Sequence, residues 1–180
     1  MKKTLITILA TVLVCCFAVG GTLAWLIDST DSVENTFTVG KVDIDLVETT
    51  GEEYKMIPGN ELDKDPTVKV LDGSENCWLF VKIEKANNPD TYLEYTVDSK
   101  WTALPDTEGV YYIKDAKAGD TYSVLTNNKV TVKTTLTAAD MTAANANKPK
   151  LTFTAYAAQA DNLDTAAEAW AAVQNLSANP

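Results

Sequence analysis

The side chains able to do chemistry in this chain are 25 carboxylates, 15 lysines and three cysteines, with neither histidine nor arginine among its 180 residues. Zinc hydrolysis wants borderline-soft nitrogen or sulfur donors, usually histidine, so an HExxH-type helix is impossible here. Ser-His-Asp and Cys-His nucleophiles fail for want of the same base. Paired carboxylates can do glycosidase work, but no spacing singles out a pair. The run Glu61-Leu62-Asp63-Lys64-Asp65 offers oxygen ligands for a weak calcium site, yet it matches no EF-hand loop and Lys64 interrupts it. Gly73, Gly109 and Gly119 fall in turns without a phosphate-cradling pattern. Tyr111 and Tyr112 are adjacent, so on a strand they face opposite ways, and a sugar platform needs several outward rings. No catalytic, cofactor-binding or metal-ligating residue emerges. The expectation is a protein that is not an enzyme and uses no cofactor.

The elements that position these residues begin with a leader. Lys2 and Lys3 precede a 15-residue apolar run, Leu5 to Val19, and small residues stand at Thr22 and Ala24. That order predicts a secretory signal peptide over residues 1–24, cut between Ala24 and Trp25 by a signal peptidase. Cys15 and Cys16 leave with it. A lipoprotein would need a small residue before the modified cysteine, where Cys15 stands instead. Only Cys77 remains, so no intrachain disulfide is possible, and its neighbours Trp78, Leu79 and Phe80 predict a small buried hydrophobe rather than a reactive or interchain thiol.

After the cut, 156 residues suit one domain, 25–180. Its 13 lysines and 25 acids give a formal charge of −12. Nucleic acid and anionic membrane surfaces are poor partners for such a chain. No later apolar run reaches the ~18 residues of a membrane span, and Asn175–Pro180 is no anchor tail. The expected location is secreted, in the extracellular matrix or at the cell surface.

Short alternating strands fill the rest. Phe37 and Val39 alternate with threonines, then Val42, Ile44 and Leu46 with acids, and the parity flips across Gly40-Lys41 as at a bulge or bend. Asp43, Asp45 and Glu48 fall on the polar side and read as a solvated face. Thr67–Leu71, Cys77–Lys85, Tyr92–Val97, Trp101–Leu104, Val110–Lys114, Ser123–Leu125, Lys129–Leu136 and Leu151–Ala157 follow, with Gly, Pro and Asn turns between them. Cys77–Ile83 is apolar on both faces, which predicts a strand covered on both sides. Asn127-Asn128 between two apolar runs reads as a hairpin turn. A short helix is expected around Ala138–Ala143. A second, over 165–174, opens on the capping box Thr165-Ala166-Ala167-Glu168 and is pinned by Trp170, Val173 and Leu176. The fold class expected is all-β: an antiparallel β-sandwich with a short C-terminal helix, preceded by the signal peptide.

Three blocks of sequence resemble the TasA/camelysin family of secreted proteins from Gram-positive bacteria. The first is Gly20-Gly21-Thr22-Leu23-Ala24 with Asp28-Ser29-Thr30 and Asn35-Thr36-Phe37-Thr38-Val39-Gly40, leading into Val42–Leu46. The others are Ile57-Pro58-Gly59-Asn60-Glu61-Leu62 with the runs Thr67–Leu71 and Trp78–Ile83, and Leu151–Ala157. The resemblance implies a jelly-roll-like sandwich, processing by a SipW-type signal peptidase, and assembly into fibres of the biofilm matrix. It also implies polymerisation by donation of an amino-terminal strand. Here that strand is 25–39, with Trp25, Leu26 and Ile27 anchoring its end and Phe37 and Val39 filling alternate pockets. The partner expected is the chain itself as a homopolymer, with a minor fibre-associated protein. The alternatives are a monomeric cell-surface adhesin or glycan-binding module, and a camelysin-like peptidase, which the absence of histidine opposes.

Overall fold

The computed structural model describes residues 41–51 and 54–177. The leader, its Ala24/Trp25 junction and the donor positions Trp25, Leu26, Ile27, Phe37 and Val39 lie outside the described residues.

Ten strands are described: β1 Ile44–Val47, β2 Glu61–Asp63, β3 Thr67–Val70, β4 Cys77–Ala86, β5 Leu93–Glu94, β6 Thr102–Ala103, β7 Val110–Ala116, β8 Thr121–Ser123, β9 Lys129–Val132 and β10 Lys150–Gln159. Three α-helices are described, α1 Pro89–Tyr92 and α2 Ala138–Asn147 between strands and α3 Ala166–Ser177 after the last. All strand pairs are antiparallel, in sheets ordered β1-β3-β8, β10-β4-β7-β6 and β2-β9-β5. The domain is all-β.

Two of these sheets are stitched end to end. β2 and β3 lie on one stretch of chain and pair with β9 and β8 on another. Between the two pairings, Lys64 N–H donates to Asn128 O (2.8 Å) and Val124 N–H to Pro66 O (2.8 Å). The Asn127-Asn128 turn therefore corrects the hairpin expectation. β8 and β9 do not pair with each other; both run along the 61–70 segment. Asn127 and Asn128 each take φ 55°, a left-handed bend that asparagine tolerates, and it offsets one strand into two. At Pro58-Gly59 the φ of +84° and the Asn60 N–H to Ile57 O bond (3.0 Å) make the tight turn that glycine permits.

β4 is the core strand, and its two faces pack differently. Cys77, Leu79, Val81 and Ile83 meet Val68, Val70, Val124 and Val130 from the stitched sheets. Trp78 and Phe80 point the other way, toward Ala169 and Val173 of α3. A strand buried on both sides is what the run Cys77–Ile83 predicts, and α3 is the covering element. Thr165 and Glu168 cap α3 reciprocally, Thr165 N–H to Glu168 Oε2 at 3.0 Å and Glu168 N–H to Thr165 Oγ1 at 3.2 Å. Trp170 packs 5.2 Å from the Phe80 ring and 5.4 Å from Tyr156. The side chain of Leu176 lies outside the described residues. Tyr111 joins the inner core, while Tyr112 lies under α3 beside Trp78 at 5.8 Å. So neither tyrosine is a free outward platform, because both faces of this sheet are covered. Helix α2 runs four residues past the expected Ala143, capped by Thr137 and Asp140.

Candidate functional site

The acidic run 61–65 is drawn into structural contacts rather than gathered around a cation. Asp63 pairs with Lys129 (2.5 Å), and Lys64 pairs with Glu48. The Asp65 carboxylate accepts from the Thr49 and Thr50 amides at 2.9 and 3.2 Å and from both hydroxyls. Those bonds, led by the Thr49 hydroxyl, hold its pKa down to about 2. Lys64 Nζ also sits 5.2 Å from the Tyr54 ring centre and 5.6 Å from that of Phe153 on β10. Among the described residues no three Cys, Asp or Glu side chains gather in a group that would hold a metal ion. Cys77 is fully buried, and desolvation, with Asp120 adding to it, pushes its thiol up to about 11. A thiol so disposed is a core residue, not a nucleophile.

An open cavity of about 570 Å³ lies between β5 and the ends of β4 and β7, lined by Tyr95, Tyr111, Lys85, Asp90 and Lys133 among others. Both of its lysines are already engaged. Lys85 Nζ donates to Asp90 Oδ2 at 2.8 Å, and Lys133 Nζ to the Asp90 carbonyl at 2.6 Å. Burial raises the Tyr95 phenol.

The sheet edges are the remaining chemistry, and they are backbone chemistry. Among the described residues β10 is bonded on one side only, to β4, in an unbroken register from Lys150↔Ala86 to Gln159↔Cys77. Which amides face out follows from β4. Ile83 N–H points to Gly109 O on the β7 side (2.8 Å), so the even residues of β4 face β10. The bond from Ala160 N–H to Asn76 O (2.9 Å) continues that series. The even residues of β10 are thus paired, and the N–H and C=O of Leu151, Phe153, Ala155, Ala157 and Gln159 point away from β4 with no partner among the described residues. The side chains of Leu151, Phe153, Ala155 and Ala157 turn toward the core yet are only half-buried, as are Ile44 and Leu46 of β1 beside them. β1 packs near β10 without a ladder bond to it. A second edge, open among the described residues, runs from β5 to Val97. There Thr126 N–H bonds Thr96 O and Asp98 N–H bonds Val124 O (both 2.9 Å), which turns the Tyr95 and Val97 backbone outward.

The lettering Leu-Thr-Phe-Thr-Ala-Tyr-Ala discloses β10 as a strand, but not as an edge. That depends on which strand finds a place beside it. No helix of the described residues is long and apolar enough to cross a membrane. No protein-family model, curated protein or solved structure matches this chain.

Proposed function

We propose that this chain is a secreted structural protein that self-assembles into extracellular fibres of a biofilm matrix. A jelly-roll-like sandwich donates its amino-terminal strand, Trp25–Val39, to the next copy. The leader is removed between Ala24 and Trp25, which frees an apolar end. The observation that carries this reading is the presence of strand edges, open among the described residues, on a domain whose acidic run and cysteine are tied into structure. A free edge is a row of unpaired amides and carbonyls that an extended segment completes. Head-to-tail contacts of that kind do not close on themselves, so they grow as a fibre.

The test is electron microscopy with light scattering on the chain beginning at Trp25, beside one beginning at Gly40. Fibres from the first and monomers from the second are expected. Monomers from both, across pH, salt and calcium, remove self-assembly. In that event the Tyr95/Tyr111 cavity favours the second reading, a surface glycan-binding module, and titration with cell-wall glycans followed by tyrosine fluorescence decides it.

A further inference from the structure

We infer that the cavity between β5 and the ends of β4 and β7 is a binding site for an uncharged sugar residue that presents two neighbouring hydroxyls. This deepens the glycan-binding reading, on which it rests, and is independent of fibre formation.

The cavity opens where two sheets part at the rim of the core. Cys77, Leu79, Val81 and Ile83 of β4 face inward, and the same alternation turns Lys85 to that side at the strand's exposed end. Tyr111 on β7 and Tyr95 beyond β5 are partly buried and pack against the same core. With Leu93 and Val97 they give the cavity an apolar and aromatic wall, while Lys85, Asp90 and Lys133 supply its polar groups. Ligand sites divide labour in that way, the wall carrying contact area and a few polar groups fixing orientation. A charge pair at a rim also guards a sheet edge, and that role accounts for Lys85 with Asp90. It does not require the second ammonium, which reaches the same residue from beyond β9.

The polar groups select the ligand. A lysine ammonium carries three N–H donors. Lys85 gives one to Asp90 Oδ2 at 2.8 Å, and Lys133 gives one to the Asp90 carbonyl at 2.6 Å. Asp90 Oδ1 has no hydrogen-bond partner among the described residues. Spare donors and a spare acceptor therefore stand side by side around one residue. A hydroxyl both donates and accepts, so two neighbouring hydroxyls can give to Asp90 Oδ1 and take from Lys85 or Lys133. The apolar face of a sugar ring then has Tyr95 and Tyr111 to lie against. A carboxylate or phosphate only accepts, leaves Asp90 Oδ1 unmatched, and brings negative charge beside Asp90 and Glu94 on a chain of net formal charge −10. A cationic ligand meets two ammonium groups.

Saturation-transfer difference NMR on the processed chain reads weak sugar binding in monomer and fibre alike. The probes are neutral glucose, mannose and galactose oligosaccharides, with galacturonic acid oligosaccharides as the anionic comparison. Transfer to a neutral probe is expected, with the anionic probe bound about tenfold more weakly or less. Asp90→Ala lies at an exposed position outside every strand, and Lys133→Ala removes the second ammonium. Each is expected to weaken neutral binding about tenfold, with circular dichroism unchanged. Neutral binding that survives both variants overturns the site. Tighter binding of the anionic probe overturns the ligand class and leaves a glycan-binding module standing. Absence of transfer to any probe at roughly 10 mM overturns the site and the glycan reading together. That outcome includes a cavity covered by residues 25–40, because the processed chain carries them. Should the variants not fold, acetylation of the parent chain decides. Bound sugar is expected to slow the reaction at Lys133 and not at the exposed Lys117, and equal rates at Lys133 with and without sugar overturn the inference.

Discussion

Asp65 is the residue whose role is sharpest. Its carboxylate holds the Thr49-Thr50 segment after β1 against the entry to β3, through two amides and two hydroxyls. A carboxyl depressed to about 2 in the fold, against about 3.9 unfolded, stabilises the fold above the unfolded value and loses that contribution as pH falls toward 2. The site is close to solvent, so screening limits the gain to about 1 kcal/mol. Asp65→Asn is therefore expected to lower stability by roughly 1 kcal/mol at pH 7, with the gap to the parent closing between about pH 4 and 2. Urea unfolding at both ends of that range checks it; a gap that widens on acidification sinks the assignment. Nothing in the lettering of residues 61–65 distinguishes a calcium run from this clamp. The partners Thr49, Thr50, Glu48 and Lys129 come from elsewhere in the chain, and only folding brings them up.

Among the elements, β4 and α3 were the most legible. The run Cys77–Ile83, large and apolar on both faces but for Lys82, has little solvent face to offer, so it had to be covered on both sides. Thr165 and Glu168 announce the helix that does the covering, because a capping box is a local device complete within four residues. Trp170 joins the two elements across Phe80 and Tyr156. Trp170→Ala is expected to cost about 2 kcal/mol, below the buried-tryptophan range because the residue is partly exposed. Equilibrium unfolding measures it, and a loss under about 0.5 kcal/mol, the level of an ordinary surface substitution, removes α3 as a structural cover. The β8–β9 junction was not legible. Two asparagines in left-handed backbone serve equally to reverse a chain or to offset it, and the choice lies with the 61–70 segment that both strands pair with.

For the whole molecule, charge and edge act against each other. Processed as proposed, the chain carries −12, so copies repel, and a donated strand adds Asp28, Asp31 and Glu34 to the contact. Lowering the charge should release the assembly. Fibre formation is expected to quicken below about pH 5, where ordinary carboxylates begin to protonate, and with added salt. The Asp65 clamp stays ionised there because its pKa is about 2, so the domain keeps that contact while its repulsion falls. Light scattering against pH and salt tests this, and slower assembly on acidification counts against a repulsion-limited step.

Alternation, turn residues and the missing histidines by themselves determined a strand-built domain with a capped final helix and no histidine-based site. Those properties are local or compositional: period-2 patterning, caps and donor chemistry are complete within a few residues or absent from the whole chain. The tertiary structure alone decided that Lys150–Gln159 stands at an edge among the described residues, that Lys64 lies over Phe153, and that Tyr112 is under a helix. Edge and centre are properties of what pairs alongside, across separations such as that between Cys77 and Gln159, and no local pattern encodes an absent neighbour.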